Sequence, residues 1–203
     1  MQIEEPNSAM RDIKADSYGP AAKELIAKAL AEGRPQSLSF SSPAPDARAA
    51  LQAMTDQTVS PNRRVRMPHD AECLRAALWL LFDYEPESHE LSQNIPTPSG
   101  SYWHGILHRR EPDPANAKYW MARIGEHPIC PELLQDAIEI ATAAGPAGAP
   151  LAAAMQKMKT WDSSWFVERC NSGADPLTTK VLLDIQRREW LLLFDYNYKK
   201  AFA

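Results

Sequence analysis

The sequence predicts an all-α protein, and three observations carry that prediction. No stretch alternates apolar and polar residues for long enough to build a sheet. Segments with helical periodicity follow one another from Pro20 to the C-terminus. The 17 prolines fall between those segments, where proline opens or stops a helix, rather than inside them.

Taken in order, residues 1–19 read as an N-terminal arm and residues 20–203 as a single helical domain. Pro20 opens PAAKELIAKALAEG, which stops at Gly33. RPQSLSFSSPAP reads as a linker, and Asp46 is placed to cap a short helix ending near Met54. TVSPNRRVRMP is a loop carrying Arg63, Arg64 and Arg66, a solvated cluster, an internal ion-pair donor or an anion-binding surface. Asp70 is expected to cap AECLRAALWLLFDY, whose residues 76 to 82 are apolar all round, the mark of a buried helix. Pro86 restarts the chain as ESHELSQNI. The next helix is expected from about Ser101 to Glu111, and another from Pro114 to about Gly125. PELLQDAIEIATAAG, GAPLAAAMQKMKTW and DSSWFVERC supply three more. The last and longest runs from about Asp175 to Ala201.

ALWLLFDYEPESHE and HGILHRREPDPANA both read helix, Glu-Pro, helix. Such pairs form helical hairpins, so the expected architecture is hairpins packed around two buried helices, Leu74–Phe82 and Val181–Tyr196. Tetratricopeptide proteins offer an architectural analogy only, because the spacing is shorter than that repeat.

Bulk properties narrow the function. The formal charge is −4 and the pI about 5.8, so nucleic acid is not an expected partner. No window has the roughly 18 apolar residues of a membrane span. The acidic, polar start lacks the regions of a signal peptide. The three cysteines, Cys73, Cys130 and Cys170, form no paired framework. A cytoplasmic setting is the expectation. Cys73, near a helix start, reads as a core residue or a low-pKa thiol.

The candidate chemistry is concentrated in SYWHGILHRREPDPANAKYW, residues 101–120. On a helix, at about 100° per residue, His104, His108 and Glu111 share one face. Two imidazoles and a carboxylate in a row suit a divalent transition metal of the Zn, Fe or Ni type when further ligands arrive from elsewhere. They equally suit proton transfer, or hydrogen bonding at a groove between helices. His89 is an outside candidate, and Asn116, Lys118, Tyr119 and Trp120 are placed along the same groove. On the last helix Glu189 projects from an apolar side that carries Val181, Leu182, Ile185, Leu192, Leu193 and Tyr196, with Gln186 at its edge. A carboxylate there must be paired, metal-bound or protonated. Arg75, His104, His108 and Arg109 are its candidate partners.

TPSGSYWHGILHRREPDPANAKYWMARIGEHP, with QRREWLLLFDYNYKKA at the end of the chain, resembles the signature of a family of uncharacterised bacterial and fungal proteins. The likeness implies that the two segments belong to one protein type, and it brings no activity, cofactor or partner. Two functions remain open from sequence. One is a helical protein binding a metal ion or small ligand in a His/Glu pocket, with or without catalysis. The other is a non-catalytic module that takes a peptide or protein in a groove between hairpins.

Overall fold

A computed structural model describes residues 18–203, and among them every regular element is helical. The expected arm lies outside the described residues as far as residue 17. Tyr18 and Gly19 belong to the core instead: Tyr18 packs its ring on Phe194 and Tyr198.

The helices are α1 (Pro20–Ala31), α2 (Arg48–Gln52), α3 (Pro68–Leu81), α4 (Glu85–Ser92), α5 (Pro98–Arg110), α6 (Pro114–Met121), α7 (Cys130–Ala143), α8 (Ala149–Met155), α9 (Ser163–Cys170) and α10 (Pro176–Phe202). Proline occupies one of the first two positions in eight of them: α1, α3 to α8 and α10. That is where its missing N–H and fixed φ do no harm. Thr97, Asp113, Asp162 and Asp175 cap α5, α6, α9 and α10 through side-chain oxygens.

Two caps expected from sequence are not made. The helix around Asp70 begins at Pro68, so Asp70 lies inside the first turn and accepts a hydrogen bond from Asn197 Nδ2 (2.8 Å). Asp46 lies within a 3-10 turn, Pro45–Ala47, and pairs with Lys28. In both places an earlier proline starts the turn.

α10, with 27 residues, is the spine. Its second half packs with α1 to α6 in one cluster of buried side chains, and its first half with α7 to α9 in another. The two expected hairpins are present: α3 packs along α4, and α5 along α6.

α3 and α10 are buried as expected, but α5 is buried as well. Every residue from Ser99 to Arg110 is enclosed, although the segment is only weakly apolar. Neighbouring chain closes over its glycines. A Cβ on Gly100 would lie 2.3 Å from the Ile95 carbonyl oxygen, and one on Gly105 would lie 3.0 Å from the Met121 sulfur. The polar side chains of α5 must therefore find partners inside the protein.

Candidate metal centre

α5 divides its polar side chains between opposite faces. Tyr102 and Arg109, seven residues apart, point one way, while His104, His108 and Glu111 point another, about 100–160° around the helix.

The first face meets α10. Arg109 binds Glu189 through its two terminal guanidinium nitrogens, with both side chains fully enclosed. The Tyr102 hydroxyl donates to the same carboxylate (3.0 Å). The guanidinium lies over the Phe166 ring, 4.6 Å from its centroid. Glu189 thus has its partner in Arg109, one of the candidates expected for it, and among the described residues no hydrogen bond or ion pair joins it to a histidine. Arg75 pairs with Asp56 (3.1 Å), and Gln186 reaches the Ser37 carbonyl (3.5 Å). Neither belongs to the histidine face. Next to Arg109, Arg110 is also enclosed and binds Asp83, which Arg34 shares.

On the second face α4 brings His89 against His104 and His108, with ring centroids 4.6 and 5.4 Å away. One nitrogen from each of the three rings lies within 4.8 Å of the others. His104 and His108 are buried, while His89, Glu85, Glu111 and Asn116 are half-buried and rim the mouth. His69 and His127 lie apart: His69 pairs with Glu72 at the surface, and His127 meets Ser99 Oγ (3.1 Å).

Hydrogen bonds fix the tautomers. The Ser92 hydroxyl gives its only proton to the Ser88 carbonyl (2.8 Å), so it must accept from His104 Nδ1 (2.8 Å). Glu111 accepts from His108 Nδ1 (2.5 Å). When neutral, both rings then carry the proton on Nδ1 and leave Nε2 as a lone pair. The two Nε2 atoms face each other at 2.9 Å. Asn116 Nδ2 approaches His108 Nε2 at 3.1 Å, the approach of a donor to a lone pair. Two facing lone pairs repel unless a cation sits against them, either a proton or a metal ion.

His104 itself is held neutral down to a pKa of about 3, by burial first and then by any charge on His108 and His89, so a proton between the two rings would sit on His108 Nε2 and be donated to His104. Trp120 packs edge-on against the same ring, 4.4 Å between centroids. Farther out, Glu85 hydrogen-bonds Glu111, and burial together with that contact raises the Glu85 carboxyl above its usual range.

Of the residues expected at the site, His89, His104, His108 and Glu111 come together, while Glu189, Arg109, Arg75 and Gln186 do not join them. Sequence reading missed Ser92 and Glu85. Ser88 and Ser92, one helical turn apart on α4, were the only signal, and it becomes meaningful once α4 is known to lie across α5. Cys73 is a core residue whose thiol burial pushes up, not a low-pKa thiol.

Buried neutral histidines set a pH dependence. His127 is depressed to about 4 by burial and by the Lys200 charge. An unfolded histidine binds its proton near 6.5. Between about 6.5 and 4 the unfolded chain binds more protons, so stability is present above 6.5 and is lost as pH falls through that window. At pH 5 the loss from His127 alone is about 2 kcal/mol. His127→Gln should flatten the decline in melting temperature between pH 7 and pH 5, and an unchanged slope would refute this assignment.

Compared with known protein families, curated proteins and solved structures, the chain matches none.

Proposed function

We propose that this chain binds a divalent transition metal through His89, His104 and His108. The observation that carries the reading is the convergence of three imidazole nitrogens with two of the tautomers set by partners behind the rings. Ligating histidines characteristically donate their other N–H to a carboxylate, carbonyl or hydroxyl, which fixes the ring and raises its basicity. Glu111 and Ser92 supply those contacts, so Glu111, expected among the ligands, is assigned to orienting His108.

Geometry favours particular ions. With metal–nitrogen bonds of about 2.0–2.1 Å, nitrogens 2.9 Å apart subtend roughly 90° at the ion, and a tetrahedral ion needs about 3.4 Å. The His104–His108 separation matches neighbouring positions of a six-coordinate Fe, Mn, Co or Ni ion, whereas a tetrahedral Zn ion requires those two rings to part by about half an ångström. Three neutral ligands leave the ion its full charge and leave positions open toward the half-buried mouth. A water bound there is acidified and a substrate oxygen polarised.

The interaction-module reading has less support. A docking groove needs several hundred Å² of contiguous apolar surface. The large exposed hydrophobic side chains among the described residues are Met67, Tyr119 and Leu177, on three separate segments. No helix among the described residues is long and apolar enough to cross a membrane.

The test is elemental analysis of protein purified without a metal-affinity tag, beside thermal melts with and without chelator. The expected result is about one metal ion per chain and a melting temperature lowered by chelator, because a ligand that binds only the folded state stabilises it. Metal-free protein that takes up no added Fe, Mn, Co, Ni or Zn, with an unchanged melt, would overturn the reading and leave the histidines as a hydrogen-bonded line from Glu85 to Ser92.

A further inference from the structure

Beyond the histidines, the same three helices enclose a second feature. A cleft of about 400 Å³ opens between the end of α4, the first turns of α5 and the outer face of α6. It lies one helical turn from the histidines along α4 and α5, where Gln93 follows His89 and Ser101 precedes His104, and Arg123 lies just beyond Trp120 of α6.

Its lining is unusual for a chain of net charge −4. It contains no carboxylate, and its one charged side chain is Arg123. That guanidinium donates to the Tyr119 hydroxyl (3.1 Å) and lies over the Tyr119 and Trp120 rings, and it pairs with no carboxylate among the described residues. Thr97 and Ser101 line the cleft at the N-terminal end of the 13-residue α5, where the helix dipole is positive. Ser101 is 7% exposed and lines the cleft, where its hydroxyl is free to donate to a bound acceptor. Ile95, Pro96 and Trp120 add flat apolar walls.

We propose that this cleft binds a small planar organic carboxylate. The carboxylate accepts from Arg123 and from the Ser101 hydroxyl at the positive end of α5, and the planar body lies against Trp120. The proposal stands on the cleft's own lining and holds whether or not a metal is bound. Trp120 is the wall shared with the metal centre, since its ring also packs on His104.

Benzoate is the probe, titrated into chelator-treated full-length protein and followed by calorimetry, with benzamide as its neutral counterpart and inorganic phosphate as a non-planar anion. One saturable benzoate site per chain is expected. Benzamide and phosphate should each bind at least about tenfold more weakly, the scale of one charge-assisted hydrogen bond. Arg123→Gln should weaken benzoate by about tenfold or more and Ser101→Ala by several-fold, with melts confirming that both variants fold. Absence of a saturable site, or benzoate affinity unchanged in Arg123→Gln, would overturn the proposal. Benzamide binding as tightly as benzoate would overturn the anionic class, and phosphate binding more tightly would overturn the planar one.

Discussion

Glu189→Ala should cost about 3–5 kcal/mol of stability, a large part of the whole for a domain of this size. The Arg109–Glu189 pair is fully enclosed, and the variant leaves a guanidinium in the interior with no counter-charge. It also removes the acceptor of the Tyr102 hydroxyl. The loss exceeds the net worth of the pair, because much of it is the penalty of the orphaned charge. Glu189→Ala combined with Arg109→Met should therefore recover much of the loss, although neither substitution restores a contact. Denaturant unfolding of the two single variants and the double variant measures this directly. If the double variant is as unstable as the sum of the singles, the charge is not the cause. Metal uptake separates the two faces of α5: Glu189→Gln should leave metal stoichiometry unchanged, because its carboxylate meets Arg109 and not a histidine. A metal lost in Glu189→Gln would return that residue to the ligand set.

How far the sequence led is clearest on α5. Its boundaries were nearly right, and the stripe of His104, His108 and Glu111 follows from helical periodicity alone. The fold class and the two hairpins follow equally well, since proline and hydrophobic spacing are local signals. Burial of α5 was not legible. Arginine and histidine are seldom enclosed, and only the partners of Arg109, Arg110, His104 and His108 on neighbouring segments make their enclosure tolerable. The choice among candidates for Glu189 could have been narrowed earlier. Arg109 and the two histidines point apart on one helix, so Glu189 on its long neighbour could meet one group or the other, not both. Periodicity states that exclusion, but which face turns toward α10 depends on packing. His89 stayed an outside candidate for the same reason: a histidine 15 residues before His104 joins the site only because α4 folds back across α5.

The support behind the rings, rather than the three histidines alone, makes the sharpest prediction for the metal centre. His104→Ala removes one of three ligands and should abolish stoichiometric binding of the ion found in the wild type. Ser92→Ala and Glu111→Gln leave all three imidazoles in place, yet each should weaken binding by about 10–100-fold, the usual effect of losing an outer-shell partner. Ser92→Ala releases the His104 tautomer, so Nε2 is no longer obliged to present its lone pair. Glu111→Gln keeps an acceptor for His108 Nδ1–H but removes the negative charge that makes the ring a better donor to the ion. Competition with a chromophoric chelator gives the affinities, and melts of the metal-free variants confirm that the fold survives. If His104→Ala binds as the wild type does, the centre is not at these histidines. If His104→Ala loses the metal while both supporting variants bind normally, the hydrogen bonds to Ser92 and Glu111 only pack the rings, and the tautomer argument fails while the ligand assignment stands.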